Sequence, residues 1–157
     1  MSGPLSDALR AGIAGLAERY PTREAALLPA LHRIQEEMGW IPPAAEVEVA
    51  GMLGLRPIQV REAVTFYTMF RRRPSGRHHL QVCRNLSCTL RGGDVLLDHL
   101  RARLGIVPGE TTPDGRFTLS VVECLGNCEN SPCLMIDFEE HGRLDLEAVD
   151  GLLEGLD

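Results

Sequence analysis

Four of the five cysteines fall into two close pairs, Cys83-x4-Cys88 and Cys124-x3-Cys128, and this spacing constrains the chain more than any other feature. Each pair follows a short run with β-strand composition, Leu80 to Cys83 and Phe117 to Glu123. Two neighbouring strands would then deliver all four thiols to one end of a sheet. An odd cysteine count argues against a disulfide framework and for a metal site in a reducing compartment.

Four thiolates complete either a structural zinc site or an iron–sulfur cluster. Zinc ribbons mostly use tight C-x2-C knuckles, whereas gaps of four and three residues leave loops wide enough to wrap a two-iron rhomb. The spacing therefore favours one [2Fe–2S] cluster on Cys83, Cys88, Cys124 and Cys128. A thioredoxin-type dithiol centre needs C-x-x-C, which the sequence lacks. A Rieske centre needs two histidine ligands, and no histidine follows a cysteine in a paired motif. Cys133 begins an apolar strand and reads as a buried core residue, not a ligand.

The charge of such a centre dictates what its loops must do. Two ferric ions, two sulfides and four thiolates carry a double negative charge, and one-electron reduction adds a third. Backbone N–H groups aimed at sulfur stabilise that reduced state. The loops Arg84 to Ser87 and Leu125 to Asn127 are short enough to turn amides inward, and Gly126 permits positive φ. A helix beginning near Gly92 would present its positive end to Cys88. Arg84 and Arg91 would add positive charge or remain solvated.

The rest of the chain divides in two. Residues 1–73 read as helices: Leu5, Leu9, Ile13, Leu16 and Tyr20, then Leu27, Leu31, Ile34 and Met38, recur at helical spacing. Pro29 lies in the second stripe, so that helix begins near it or kinks there. Pro43 opens a third helix, with Val47, Ala50, Met52 and Leu53 partly buried and Gly54 as its stop. Pro57 opens a fourth, to about Tyr67. Arg71 to His79, with its proline, glycine and clustered positive charge, reads as a linker. Residues 78–157 then follow a β-α-β-β-β-α order. Their elements are a strand at Leu80 to Cys83, a helix from Val95 to Leu104, and a strand at Phe117 to Glu123. A hairpin of Leu134 to Phe138 with Gly142 to Asp145 follows, then a final helix capped by Asp145. The expected fold class is α/β (α+β), with helices packed on a small sheet.

Composition narrows the function. A net charge of −6 argues against general affinity for nucleic acid or anionic membrane. No run approaches the roughly eighteen apolar residues of a membrane span, and Met1 to Arg10 lacks a secretory pattern. A cytoplasmic or matrix-like location is expected, with membrane association only through partners. Val49 to Val64 has the look of helix-turn-helix, with Gly54 and Leu55 in the turn, which keeps an iron–sulfur DNA-binding regulator as a remote alternative. Only Gln59 and Arg61 offer base-reading groups there. The sequence has no Gly-rich dinucleotide loop and no P-loop, so no complete active site is expected in this chain alone.

Several motifs, in order, resemble one family. Tyr20-Pro21 with Ala25 to Ile41, Phe66-Tyr67-Thr68-Met69-Phe70, Val82 to Cys88, Gly109 to Gly115 and Val122 to Cys128 are similar to the 24-kDa-type [2Fe–2S] subunit of NADH dehydrogenase (complex I). The resemblance implies a thioredoxin-like [2Fe–2S] domain with an N-terminal helical-bundle extension. It implies an electron-transfer subunit of an NADH:quinone oxidoreductase, docked on a flavoprotein subunit that binds FMN and NAD and joined by further iron–sulfur subunits. The family's four ligands fall on Cys83, Cys88, Cys124 and Cys128, and its usual aliphatic residue falls on Cys133. Asp137 to Asp145 departs from the respiratory members and is similar to the small subunits of NAD-dependent formate dehydrogenases and hydrogenases, which are the alternative parents.

Overall fold

The computed structural model describes residues 3–156. The chain splits into two compact units, Met1–Pro74 and Ser75–Asp157.

The first unit is helical: α1 (Asp7–Ala17), a 3-10 turn at Glu24–Ala26, α2 (Leu27–Met38), α3 (Pro43–Leu53) and α4 (Pro57–Phe66). Ser6 caps α1 by accepting from the Leu9 N–H at 3.1 Å. Pro29 sits in the first turn of α2, where its missing N–H leaves no helical bond unmade. Gly39 and Gly54, at φ 78° and 69°, end α2 and α3 in the left-handed conformation. The core joins Leu9 and Ile13 of α1 to Leu31 and Ile34 of α2, Val49 of α3 and Val60 of α4.

Two details of this unit differ from the sequence reading. Val47 is exposed, and α3 instead buries Ala45, Glu46, Val49, Ala50 and Leu53. That helix is apolar on most sides, so periodicity alone does not select its inward face. Tyr20 lies beyond α1 and is also exposed. The buried Glu46 carboxylate accepts from Arg61 Nε at 2.5 Å, so one of the two candidate base-reading side chains is already engaged.

The second unit contains β1 (His78–Cys83), α5 (Leu86–Leu90), α6 (Gly93–Leu104), β2 (Phe117–Val122), β3 (Leu134–Ile136), β4 (Glu139–His141) and α7 (Leu146–Glu154). The sheet order is β2-β1-β3-β4. β1 and β2 run parallel, with Cys83 opposite Val122. The β1–β3 and β3–β4 pairs are antiparallel. Leu80, Val82, Leu119 and Leu134 from the sheet meet Leu96 and Leu100 of α6 and Val149 and Leu153 of α7. Asp145 caps α7 by accepting from the Ala148 N–H at 2.8 Å.

The hairpin forms, but its second strand is Glu139–His141 and not Gly142 to Asp145. Asp137 adopts φ 56°, so the chain reverses at Asp137-Phe138. A non-glycine residue in that conformation is uncommon and gives little local signal. The short helix α5 also differs from the sequence reading, which has an open loop there.

Candidate metal centre

Parallel pairing brings the chain ends that carry Cys83 and Cys124 alongside each other. Cys83 is the last residue of β1, and the Arg84 N–H donates to the Val122 carbonyl at 2.9 Å, continuing the ladder. The next turn of the β2 chain therefore carries Cys124 past the same sheet end. Cys83 Sγ lies 3.6 Å from the Glu123 carbonyl oxygen.

Cys88 is brought back by α5. The Asn85 side chain accepts from the Leu86 N–H at 2.9 Å and starts this single turn, which buries Cys88. Gly92, at φ 93°, then redirects the chain into α6. The start of α6 lies directly against Cys88: a Cβ on Gly93 would stand 3.3 Å from the Cys88 Cβ. The positive end of α6 is thus near that residue, in line with the sequence-based expectation.

Cys124 and Cys128 occupy the exposed lip. Gly126, at φ 83°, turns its N–H onto Cys124 Sγ at 3.3 Å. The loop is braced from behind. Asn130 Nδ2 donates to Asn127 Oδ1 at 2.6 Å, and Arg143 Nε donates to Asn130 Oδ1 at 2.9 Å. The Ser131 hydroxyl donates to the Cys128 carbonyl at 2.5 Å. Ser87 hydrogen-bonds the Cys128 sulfur and favours its thiolate, but the neighbouring Cys124 thiol, burial and the charge of Cys88 outweigh it, raising the Cys128 pKa.

The buried part of the centre holds three sulfurs. Cys83, Cys88 and Cys133 keep only 2%, 1% and 1% of their surface, and their Sγ atoms all lie within 4.8 Å of one another. Cys88 and Cys133 are 3.6 Å apart. Burial pushes the Cys88 thiol up, yet hydrogen bonds from the Cys133 backbone and from the Cys83 and Cys133 side chains bring it below its ordinary value. Cys133 moves the other way: burial first, then its thiol neighbours, drive its pKa far upward.

The four cysteines singled out from spacing are therefore distributed as a buried half, Cys83 and Cys88, and an exposed half, Cys124 and Cys128. Cys133 is buried as expected, but in a cluster with Cys83 and Cys88, against which Leu125 packs. Sequence reasoning misses Ser87, Asn127, Asn130 and Arg143 as supports of the centre; only the Gly126 turn is legible among the loop's braces.

An all-sulfur donor set, a desolvated inner wall, a backbone N–H on sulfur and a helix N-terminus beside it define a thiolate metal centre suited to a cluster that carries negative charge. The thiols present fit a [2Fe–2S] group. The chain belongs to the thioredoxin-like [2Fe–2S] ferredoxin family, whose model matches residues 13–157.

Relatives agree. The chain is 50% identical over 146 residues to an NADH-quinone oxidoreductase subunit of Rhizobium meliloti (strain 1021), covering 93% of this chain and 87% of that one. It is 43% identical over 141 residues to NADH-quinone oxidoreductase subunit 2 of Thermus thermophilus, covering 88% and 78%. Among solved structures it is similar to an NAD+-reducing [NiFe]-hydrogenase in the H2-reduced state. There the TM-score is 0.72 and identity 27%, with 82% of this chain and 21% of that chain covered. Among the described residues, no helix is long and apolar enough to cross a membrane.

Proposed function

We propose that this chain is the electron-transfer subunit of a complex I-type NADH:quinone oxidoreductase. In this reading it carries one [2Fe–2S] cluster on Cys83, Cys88, Cys124 and Cys128 and exchanges single electrons with an FMN- and NADH-binding flavoprotein subunit. The observation that supports this reading is the parallel pairing that sets Cys83, the last residue of β1, opposite Val122, two residues before Cys124, with Cys88 buried beside Cys83. Bound there, the cluster would supply reversible uptake of one electron.

The chain's own residues divide the remaining work. Cys83 and Cys88 hold the inner side, where burial excludes water. Cys124 and Cys128 hold the outer side, whose exposure shortens the path to a docked partner. The Gly126 N–H and the start of α6 offset added negative charge. Asn127, Asn130 and Arg143 keep the outer loop in place, limiting its reorganisation as charge changes. The chain works as an oxidoreductase subunit, in the cytoplasm and at a membrane only through its partners.

A second parent is supported by the hydrogenase likeness and by Asp137 to Asp145: the equivalent small subunit of an NAD-dependent hydrogenase or formate dehydrogenase. Anaerobic purification followed by iron and sulfide assay tests the cluster, with about two of each per chain expected. Cys124→Ser and Cys128→Ser should lose or distort the visible and paramagnetic signals. Unchanged signals in both would overturn the ligand assignment. Mass-spectrometric identification of co-purifying flavoprotein and catalytic subunits separates the two parents.

A further inference from the structure

Cys133 lies outside the four-cysteine set, yet the fold places its thiol beside those of Cys83 and Cys88. The antiparallel register sets Val82 opposite Leu134, and one step further it sets Cys83 opposite Cys133. The Cys83 N–H donates to the Cys133 carbonyl at 3.2 Å, in keeping with that pairing. Residues directly opposite across a sheet project to the same face with neighbouring Cβ atoms. α5 then lays Cys88 over the pair, bringing its Sγ to 3.6 Å from Cys133 Sγ.

That separation has a chemical meaning. Two thiolates on one tetrahedral ion, with metal–sulfur bonds of about 2.3 Å, stand about 3.8 Å apart. Cys88 and Cys133 are therefore already spaced as two ligands of a single ion, and Cys83 is within 4.8 Å of both. An aliphatic residue would fill the same space without a donor atom.

We propose that Cys133 is a reserve iron ligand, able to take the place of Cys88 on the cluster when the Cys88 thiolate is removed. The proposal rests on the [2Fe–2S] reading above. Only a small sulfur displacement is needed, because the two thiols share one buried pocket and the Cys133 backbone is fixed by β1. Cys124 and Cys128 have no equivalent: among the described residues, the three-thiol group contains neither.

The test is made on the full chain, reconstituted anaerobically with ferrous iron and sulfide, and it reads iron, sulfide and Fe–S vibrational bands. Cys88→Ala should keep a cluster with shifted bands, whereas Cys88→Ala/Cys133→Ala should be empty. Equal cluster content in the single and double variants, whether both full or both empty, would overturn the proposal. Cys124→Ala reports separately on the underlying reading: a wild-type cluster there would defeat the four-cysteine assignment itself. A second arm covers misfolding of the Cys88 variants. In Cys124→Ala/Cys128→Ala, which alters only exposed cysteines, divalent cobalt alone should bind with thiolate-to-metal absorption. Adding Cys133→Ala should lower that absorption by about one thiolate in three; no change would count against the third donor.

Discussion

Gly93 packs so closely on Cys88 that a Cβ on the glycine would stand 2.9 Å from the Cys88 carbonyl oxygen and 3.3 Å from its Cβ. The first residue of α6 thus sets the position of a proposed cluster ligand through backbone contact, which no rotamer change relieves. Gly93→Ala must push α6 or α5 outward. Overpacking of this kind costs about 1–3 kcal/mol, and the expected result is a lower Tm with reduced iron occupancy. Gly15→Ala serves as the control, since its Cβ would meet nothing within 4 Å and it lies inside α1. That change should be neutral or stabilising by up to about 1 kcal/mol.

Gln35 is the polar anchor of the helical unit. Its buried amide donates to the Met69 carbonyl at 2.9 Å and accepts from the Arg71 N–H at 2.6 Å. Gln35→Ala removes both of these bonds, each worth about 0.5–1.5 kcal/mol. Urea unfolding followed by fluorescence of Trp40, the single tryptophan, should show a lower midpoint. Gln35→Glu sets a buried carboxylate against the Met69 carbonyl oxygen, so its midpoint should also fall relative to the wild type, and by more at neutral than at acid pH, where a protonated carboxyl can donate again.

Asp114 predicts a pH dependence. Its Oδ1 accepts from the Thr112 hydroxyl at 2.5 Å and from the Arg116 N–H at 3.0 Å, and these bonds hold its carboxyl below the ordinary value. A carboxyl lowered on folding stabilises fully above its unfolded pKa, and that contribution is lost as pH falls through the folded value. The unfolding free energies of the wild type and Asp114→Asn should therefore differ by a constant amount above about pH 5 and converge below about pH 4. Parallel curves throughout the acid range would contradict this.

Local chemistry makes much of this structure legible, and non-local pairing hides the rest. Gly39 and Gly54 stop helices through their own backbone conformation, so their role is readable from position alone. The cysteine spacing likewise contains its chemistry. The five residues of α5 are too few to show a period, and that turn depends on Asn85 and on packing around Cys88. The β4 boundary depends on Asp137 accepting positive φ. Cys133 looks like core because its sulfur neighbours come from β1 and α5, which only the sheet register brings alongside.

Thiol chemistry separates the two halves of the centre in the metal-free chain. Cys124 and Cys128 are exposed, whereas Cys83, Cys88 and Cys133 are buried. Alkylation requires both access and thiolate, so Cys124 should react first with N-ethylmaleimide. Cys128 should follow more slowly, because its neighbouring thiols raise its pKa. The buried three should react only on unfolding, with Cys133 the slowest of all in any partially opened state, given its strongly raised pKa. Timed quenching and peptide mass spectrometry would order the five sites. Rapid labelling of Cys88 or Cys133 in the folded chain would contradict the buried arrangement. Protection of Cys124 and Cys128 after iron and sulfide are added would support the two outer thiolates as cluster ligands.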